Sequence, residues 1–440
     1  MVTEQICALG VDFGTSGARA VVLSGHPLSS DGQILAQVSR RFEATDRVAS
    51  ALVWRQMLWN LLKSIAPNLR ARITRIAING TSATMLLCDN RGEPLCDALM
   101  YNDAITRSVL PELSAIAPAE SPTLSATSTL AKALWLHKSG FPTAGSQGVR
   151  LVHQADWLAS CLHQQRPVSD YHNALKLGYD VQSLRYPDWL TALPIASWLP
   201  PVVEPGTVVT FIAPHIAHEF GLPGNCQICA GTTDSIAAFL ASGASQAGQA
   251  VTSLGSTLVL KLLSERQVNE RKFGVYSHRL GDLWLAGGAS NTGGAVLQRF
   301  FSAERLAELS AEISAKIDTS VPCALGYYPL NAPGERFPVN DPDYLPRLTP
   351  RPESDVAFLY GLLDAIARIE SEGYQKLQNL GAPMLTQVYT AGGGAKNHTW
   401  QSIRQQRLRV SVLPAAQTEA AYGSALLARD GLARYRDEAA

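Results

Sequence analysis

Leu9-Gly10-Val11-Asp12-Phe13-Gly14-Thr15-Ser16-Gly17-Ala18-Arg19 is an apolar run that ends in a carboxylate and passes straight into a turn of glycine and hydroxyl residues. Glycines let a backbone approach an anion closely. Turn amides and the hydroxyls of Thr15 and Ser16 can donate to phosphoryl oxygens, and an aspartate at a strand end can hold a hydrated magnesium ion. The chain then resumes as a second strand over 20–23, so the segment reads as a hairpin. A P-loop or a dinucleotide fingerprint needs a helix directly after the glycines, which separates this segment from both. An Asp before a Gly-rich turn is also an ordinary hairpin feature, so its meaning depends on what surrounds it.

Working outward, strands are expected over 6–13, 20–23 and 33–42, then a helix around 53–66 and a strand over 73–79. Three early strands followed by helix and strand alternation indicate a mixed sheet with helices on its faces. Asp89-Asn90-Arg91-Gly92 predicts a hairpin turn joining 86–88 to 94–95. Residues 128–198 read as mostly helical, and prolines at 194, 200, 201, 205, 214 and 223 then punctuate the way out of a first domain. A second set of hairpin strands follows at 250–263, 274–280 and 283–289. After it come a proline-rich irregular wrap at 323–352, a long helix over 354–380, a strand over 387–391 and a closing helix from about 418 to 435. The second half thus repeats the order of the first without a close sequence repeat.

A chain of 440 residues is too long for one ordinary core and fits two domains with a cleft between them. The expected division is 1–240 and 241–440, with the last helix packing back on the first domain. Charged residues make up 17%, below the typical quarter, and 37 basic side chains balance 37 acidic ones without a long basic run. Neither a nucleic-acid nor a membrane-surface partner is indicated. No apolar stretch reaches the roughly 18 residues needed to span a bilayer, and residues 1–5 do not read as a signal peptide. Seven scattered cysteines suit a reducing, cytoplasmic setting, and Cys226-Gln227-Ile228-Cys229 reads as structural because no second pair accompanies it. A monomer is expected.

Three further segments carry chemistry. Ser253-Leu254-Gly255-Ser256-Thr257-Leu258 is again strand, glycine plus hydroxyls, strand, and could hold phosphates through amides and hydroxyls; it is equally a plain hairpin. In Ala391-Gly392-Gly393-Gly394-Ala395-Lys396-Asn397 a strand opens through bare backbone into a helix. A purine and ribose could approach there, with Asn397 either bonding them or capping the helix. Asp234, in Gly231-Thr232-Thr233-Asp234-Ser235, stands where a helix begins and could cap it or take a proton from a sugar hydroxyl. Phosphoryl transfer needs a positioned base and a metal, which Asp234 and Asp12 could serve. Candidate substrate groups are Ser82 in Gly80-Thr81-Ser82-Ala83, Tyr101 and Asp103, and Asn173 in Ser169-Asp170-Tyr171-His172-Asn173, each also a plausible turn or cap.

In this order and spacing the segments resemble the FGGY carbohydrate kinases, across essentially the whole chain. VDFGTSGARA is similar to that family's first phosphate hairpin, GTTDSIAAF to its catalytic-aspartate segment, SLGSTLVLK to its second phosphate hairpin and AGGGAKNHTWQ to its adenosine loop. GTSATMLLCD, SDYHNALKLGY and GERFP resemble a compact branch of cyanobacteria and plant plastids described as D-ribulokinase-like or as xylulose kinases. The resemblance implies an α/β fold of two actin-like ATPase (ribonuclease H-like) domains with an interdomain catalytic cleft. It implies ATP and Mg2+ as cofactors and a ketopentose as partner. Asp12 and Thr15 would serve metal and γ-phosphate, with Asp12 reaching Mg through water and Ser16 beside them. Ser82 and Asp234 would hold the sugar, Asp234 also acting as base. Gly255, Ser256 and Thr257 would meet phosphates, and Gly393, Gly394 and Asn397 would face the adenosine.

The expected reaction is phosphorylation of D-ribulose at its terminal hydroxyl, with D-xylulose as the alternative sugar. The fold class also admits an actin-like or heat-shock-like ATPase, or a weakly catalytic nucleotide and sugar sensor. Departures fall on the sugar side. Thr81-Ser82-Ala83-Thr84 stands where many xylulose and glycerol kinases carry Gly-Gln or Gln-Gln followed by His-Gly, and Tyr101-Asn102-Asp103 replaces a Trp-Asp or Trp-Gln element.

Overall fold

The computed structural model describes residues 5–29, 32–43, 48–141 and 148–436. They form two compact units: the described residues of Met1–Ala241 together with Glu419–Arg436, and Ser242–Thr418.

The first unit is built on β1 (Ile6–Phe13), which pairs antiparallel with β2 (Gly17–Gly25); β2 in turn pairs with β3 (Gln33–Arg41). On its other side β1 runs parallel to β4 (Arg75–Gly80), which is followed in the sheet by β10 (Gln227–Cys229) and β9 (Val208–Phe211). The two-residue β11 (Thr232–Thr233) continues the pairing with β4 at its far end.

The side-chain period of two explains the composition of β1. Cys7, Leu9, Val11 and Phe13 enter a large core with Trp54, Leu58, Leu61 and Trp157. Ala8 faces the other way, against Ala77, Cys229 and Ala428, where only small residues fit because the Ala420–Asp430 helix lies on that face. A Cβ on Gly10 would come within 2.0 Å of the Ala421 carbonyl oxygen. Asp12 shares parity with Ala8 and Gly10.

Two small sheets complete this unit, β5 (Met85–Cys88) with β6 (Arg150–His153) and β7 (Ser169–Asp170) with β8 (Val202–Val203). The 128–198 stretch is mostly helical, as expected, and β6 and β7 are two short strands within it. The turn at Asp89 forms and brings 94–95 beside 86–88 through a bridge at Pro94 and the Leu95 amide, which donates to the Leu87 carbonyl at 2.8 Å; no longer ladder follows, since a proline brings no amide hydrogen to it. β6 pairs along the other edge of β5, with apolar Leu151 and Val152.

The second unit repeats the plan in the order β14-β15-β13-β12-β16-β17. β12 (Gln249–Leu254) pairs antiparallel with β13 (Leu258–Ser264) and parallel with β16 (Gln387–Ala391). β15 (Leu283–Ser290) pairs with β13 and with β14 (Tyr276–Leu280), and β17 (Ser411–Pro414) with β16. The long Asp355–Asn379 helix, capped by the Ser354 hydroxyl, supplies much of a separate core. Residues 323–352 contain neither helix nor strand and are pinned by the Tyr328–Arg347 and Glu335–Asp341 bridges. Among the described residues no helix is long and apolar enough to cross a membrane. All seven cysteines are free thiols; Cys226 and Cys229 are buried, which pushes both thiols up to about 12.

Candidate active site

In the first unit two acidic residues stand at the ends of strands that flank β4. Register places Asp12 of β1 opposite Asn79, and Thr232 of β11 opposite Asn79 from the other side. Asp234 follows two residues later as the first residue of the Asp234–Ala241 helix. Its Oδ1 accepts from the Ser235 amide at 2.6 Å. Asp12 is buried, and burial, reinforced by the Asp234 carboxylate and by Glu419, pushes it up to about 7; the Arg19 guanidinium, opposite in the ladder, works the other way. Two carboxylates that repel one another at a strand end suit a cation that arrives with substrate phosphates rather than one caged by protein ligands. The hairpin tip beside them is open. Thr15 and Ser16 are exposed, while the Gly14 amide donates to the Gly17 carbonyl and the Phe42 amide to that of Ser16. Gly17 has φ +155 and a Cβ there would lie 2.2 Å from the Arg40 carbonyl oxygen, so this close approach requires glycine.

The acceptor candidates differ in how free they are. Ser82 is half-buried at the end of β4, in a turn that Gln154 Oε1 holds by accepting from the Thr81 amide at 3.0 Å and its hydroxyl at 3.1 Å. Tyr101 is exposed, and its amide donates to Thr84 Oγ1 at 2.9 Å. Asp103 is turned into its own loop, accepting from the Met100 amide at 2.7 Å. Asn173 is buried, with Nδ2 donating to Asp170 Oδ2 at 2.6 Å. Asp170, fully buried and close to Asp156, is pushed up by burial first and by that carboxylate second. Next to it His172 is also buried, and its Nδ1 lies 2.8 Å from Thr232 Oγ1, on the strand that leads to Asp234.

In the second unit a cavity of about 700 Å³ joins the β12–β13 turn to the glycine loop. Gly255, Ser256, Gly393, Gly394 and Asn397 line it, with Leu306 and Trp400 among its apolar walls. Thr257 lies on the same turn. The Gly294 amide donates to the Gly255 carbonyl at 2.8 Å, and a Cβ on Gly294 would collide with that oxygen. Gly394 is required by packing, since a Cβ would stand 2.7 Å from Leu254 and 2.8 Å from Trp400. Gly393 differs: a Cβ there would meet nothing within 4 Å, so bare backbone faces open space. Asn397 caps the His398–Leu408 helix through the Trp400 amide at 2.9 Å and donates to Ser310 Oγ at 2.9 Å. A cavity of this size with one apolar wall, exposed glycine backbone and a hydroxyl turn fits a nucleoside and its phosphates.

Several supporting groups were beyond sequence reading. Asn79 Nδ2 donates to Ser424 Oγ at 2.8 Å, tying β4 to the closing helix. Arg404 makes a bidentate pair with Glu370 at 2.6 and 2.7 Å, and Thr252 of β12 donates to the same carboxylate. Lys132, wholly buried, donates to two turn carbonyls. Its one local signal is a lysine within a helix whose neighbouring residues Leu130, Ala131, Ala133 and Leu134 are all apolar and buried.

Residues 7–241 match the N-terminal domain of the FGGY family of carbohydrate kinases and residues 250–429 its C-terminal domain. The xylulose kinase of Bacillus subtilis (strain 168) is 23% identical over 451 residues, 96% of this chain and 88% of that protein. Among solved structures, a xyloylose kinase from Brucella ovis superposes with a TM-score of 0.82 at 20% identity, over 98% of this chain and 93% of the other. Plasmodium falciparum glycerol kinase with ADP gives 0.78 at 16% identity, over 100% and 94%. At these identities the structural likeness speaks for the fold.

Proposed function

Because the chain belongs to the FGGY family of carbohydrate kinases, and is therefore an ATP-dependent sugar phosphotransferase, we propose that its acceptor is a ketopentose, D-ribulose, phosphorylated at the terminal hydroxyl to D-ribulose 5-phosphate. The observation that carries this reading is the end of β4: Ser82 stands on a turn of small and hydroxyl residues, on the strand flanked by those leading to Asp12 and Asp234. Such a turn offers hydroxyl contacts to a polyhydroxy chain without a bulky side chain to exclude it.

In this reading the second unit holds ATP, adenosine against the Gly393 backbone and phosphates at Gly255 and Ser256. Thr15 and Ser16 donate to the γ-phosphate. Magnesium, when bound, neutralises phosphate charge, and Asp12 is the residue that would hold it through water. Asp234 accepts the proton of the sugar hydroxyl as that oxygen forms its bond to γ-phosphorus and ADP leaves.

D-xylulose is the second reading, supported by the names of the Bacillus subtilis and Brucella ovis relatives. ADP release measured with D-ribulose, D-xylulose, L-ribulose, glycerol and gluconate decides the matter. The highest kcat/KM is expected with D-ribulose. A higher value for D-xylulose would favour the second reading, and turnover confined to glycerol or gluconate would sink the ketopentose assignment.

A further inference from the structure

Lys132 lies in the Thr129–Lys138 helix with none of its surface exposed. A buried ammonium is unfavourable unless its donors are satisfied, so a lysine at this position needs a physical reason. Its Nζ donates to the carbonyl oxygen of Ala83 at 2.9 Å and to that of Met100 at 2.5 Å. Those carbonyls belong to two turns 17 residues apart in sequence. Ala83 follows Ser82 and has φ +66, a left-handed conformation that a residue with a Cβ adopts only when its surroundings impose it. Met100 precedes Tyr101 and Asp103. A second link runs parallel to the first: Thr84 Oγ1 lies 2.6 Å from Thr81 Oγ1 and accepts from the Tyr101 amide at 2.9 Å.

We propose that Lys132 is a positioning residue that clamps the 81–84 and 100–103 turns into one acceptor-binding wall, so that sugar affinity depends on a side chain that never touches the sugar. The inference rests on the reading that these turns meet the sugar. Its geometry is that of a two-point strap: one ammonium fixes the carbonyl after Ser82 and the carbonyl before Tyr101, which sets the spacing of the two side chains. Burial pulls this ammonium down to about 8, and Lys176 adds to the pull. The Asp103 carboxylate resists, and the charge therefore persists at neutral pH. A strap of fixed length favours acceptors of one size, which places Lys132 among the determinants of specificity.

The test is Lys132→Met, similar in volume and without donors, measured on the full chain. Backbone hydrogen exchange is expected to accelerate about tenfold or more at Tyr101 and Asp103 together with Thr84, while the β12–β13 turn is unaffected. With the acceptor that the wild type phosphorylates, KM for sugar is expected to rise about tenfold and KM for ATP to stay within twofold. Leu130→Ala, a core change on the same helix, controls for general loosening. Should Lys132→Met fail to fold, Lys132→Gln keeps a donor but not the reach for both carbonyls and is expected to show the same joint loosening. Unchanged exchange in the two turns, or kinetic losses equal for sugar and ATP and matched by Leu130→Ala, would overturn the clamp. Exchange needs no substrate, so it decides the clamp even if no ketopentose is phosphorylated, the result that would instead sink the acceptor reading.

Discussion

Asp12 is a carboxylate that the fold makes difficult to ionise, and that difficulty has a measurable sign. Its proton is held up to about pH 7 in the folded chain against an ordinary value of 3.8. Between those values the folded state binds more protons than the unfolded one, so this residue's contribution to stability declines as pH rises from about 4 to 7 and is level above. Asp12→Asn removes the penalty. The variant is expected to match the wild type near pH 3.5 and to be more stable at pH 8 by on the order of 2 kcal/mol, as read from denaturant melts. A difference that did not grow with pH would show that Asp12 is not held protonated. The same variant is expected to need more magnesium for turnover, because the neutral amide is a poorer partner for a hydrated cation. Asp234 answers to a different measurement. If it accepts the acceptor's proton, Asp234→Asn is expected to lower kcat by roughly 10² to 10⁴ while leaving nucleotide affinity within a few fold. Near-normal turnover would remove it from the chemistry.

At the scale of elements, the two turns that carry glycine and hydroxyls are only as well placed as the segments that back them. The closing Ala420–Asp430 helix packs on β1 and on the Asp234–Ala241 helix, and it comes so close that Gly423 has no room for a Cβ, which would lie 1.8 Å from the Ala237 carbonyl oxygen. Gly423→Ala is therefore expected to destabilise the first unit by about 1–3 kcal/mol through overpacking, read as a lowered melting temperature, and to reduce kcat because both aspartate-bearing elements must shift. Gly393 presents the opposite case. A side chain there enters open space, so Gly393→Val is expected to preserve the melting temperature yet weaken ATP binding about tenfold or more, with nucleotide titration as the check. These elements also show what could be read in advance. The strands at Ile6–Phe13 and Gln387–Ala391 and the cap at Asn397 are legible because each is written in a local run of apolar, glycine or capping residues. The Asn79–Ser424 bond joins residues 345 apart and the Arg404–Glu370 pair joins two helices, so nothing local announces either. β6 escaped because a four-residue strand with only Leu151 and Val152 apolar, running straight into a helix, is too short to show a period of its own.

For the whole molecule, the chain leaves its first unit at Ala241 and re-enters it at Glu419, so the second unit is a single continuous insertion with its own apolar core. The first unit's core, gathered around β1, β4 and Trp54, contains no residue of the second. Two cores in one chain are a reason to expect that unfolding is not a single two-state event. The nucleotide cavity is lined wholly by residues of the second unit, whereas Ser82, Asp12 and Asp234 all belong to the first. Each ligand should then stabilise the unit that binds it, by RT ln(1 + [L]/Kd), which is about 2.7 kcal/mol at a hundredfold excess over Kd. Scanning calorimetry of the full chain is expected to show two overlapping transitions. ADP, which lacks the γ-phosphate assigned to Thr15 and Ser16, should alone raise one of them and the ketopentose alone the other, each by roughly 5–10 °C for units of this size. If both ligands raised the same transition, the division of labour between the units would be wrong. If one sharp transition persisted with equal calorimetric and van't Hoff enthalpies, the two cores would be melting as one.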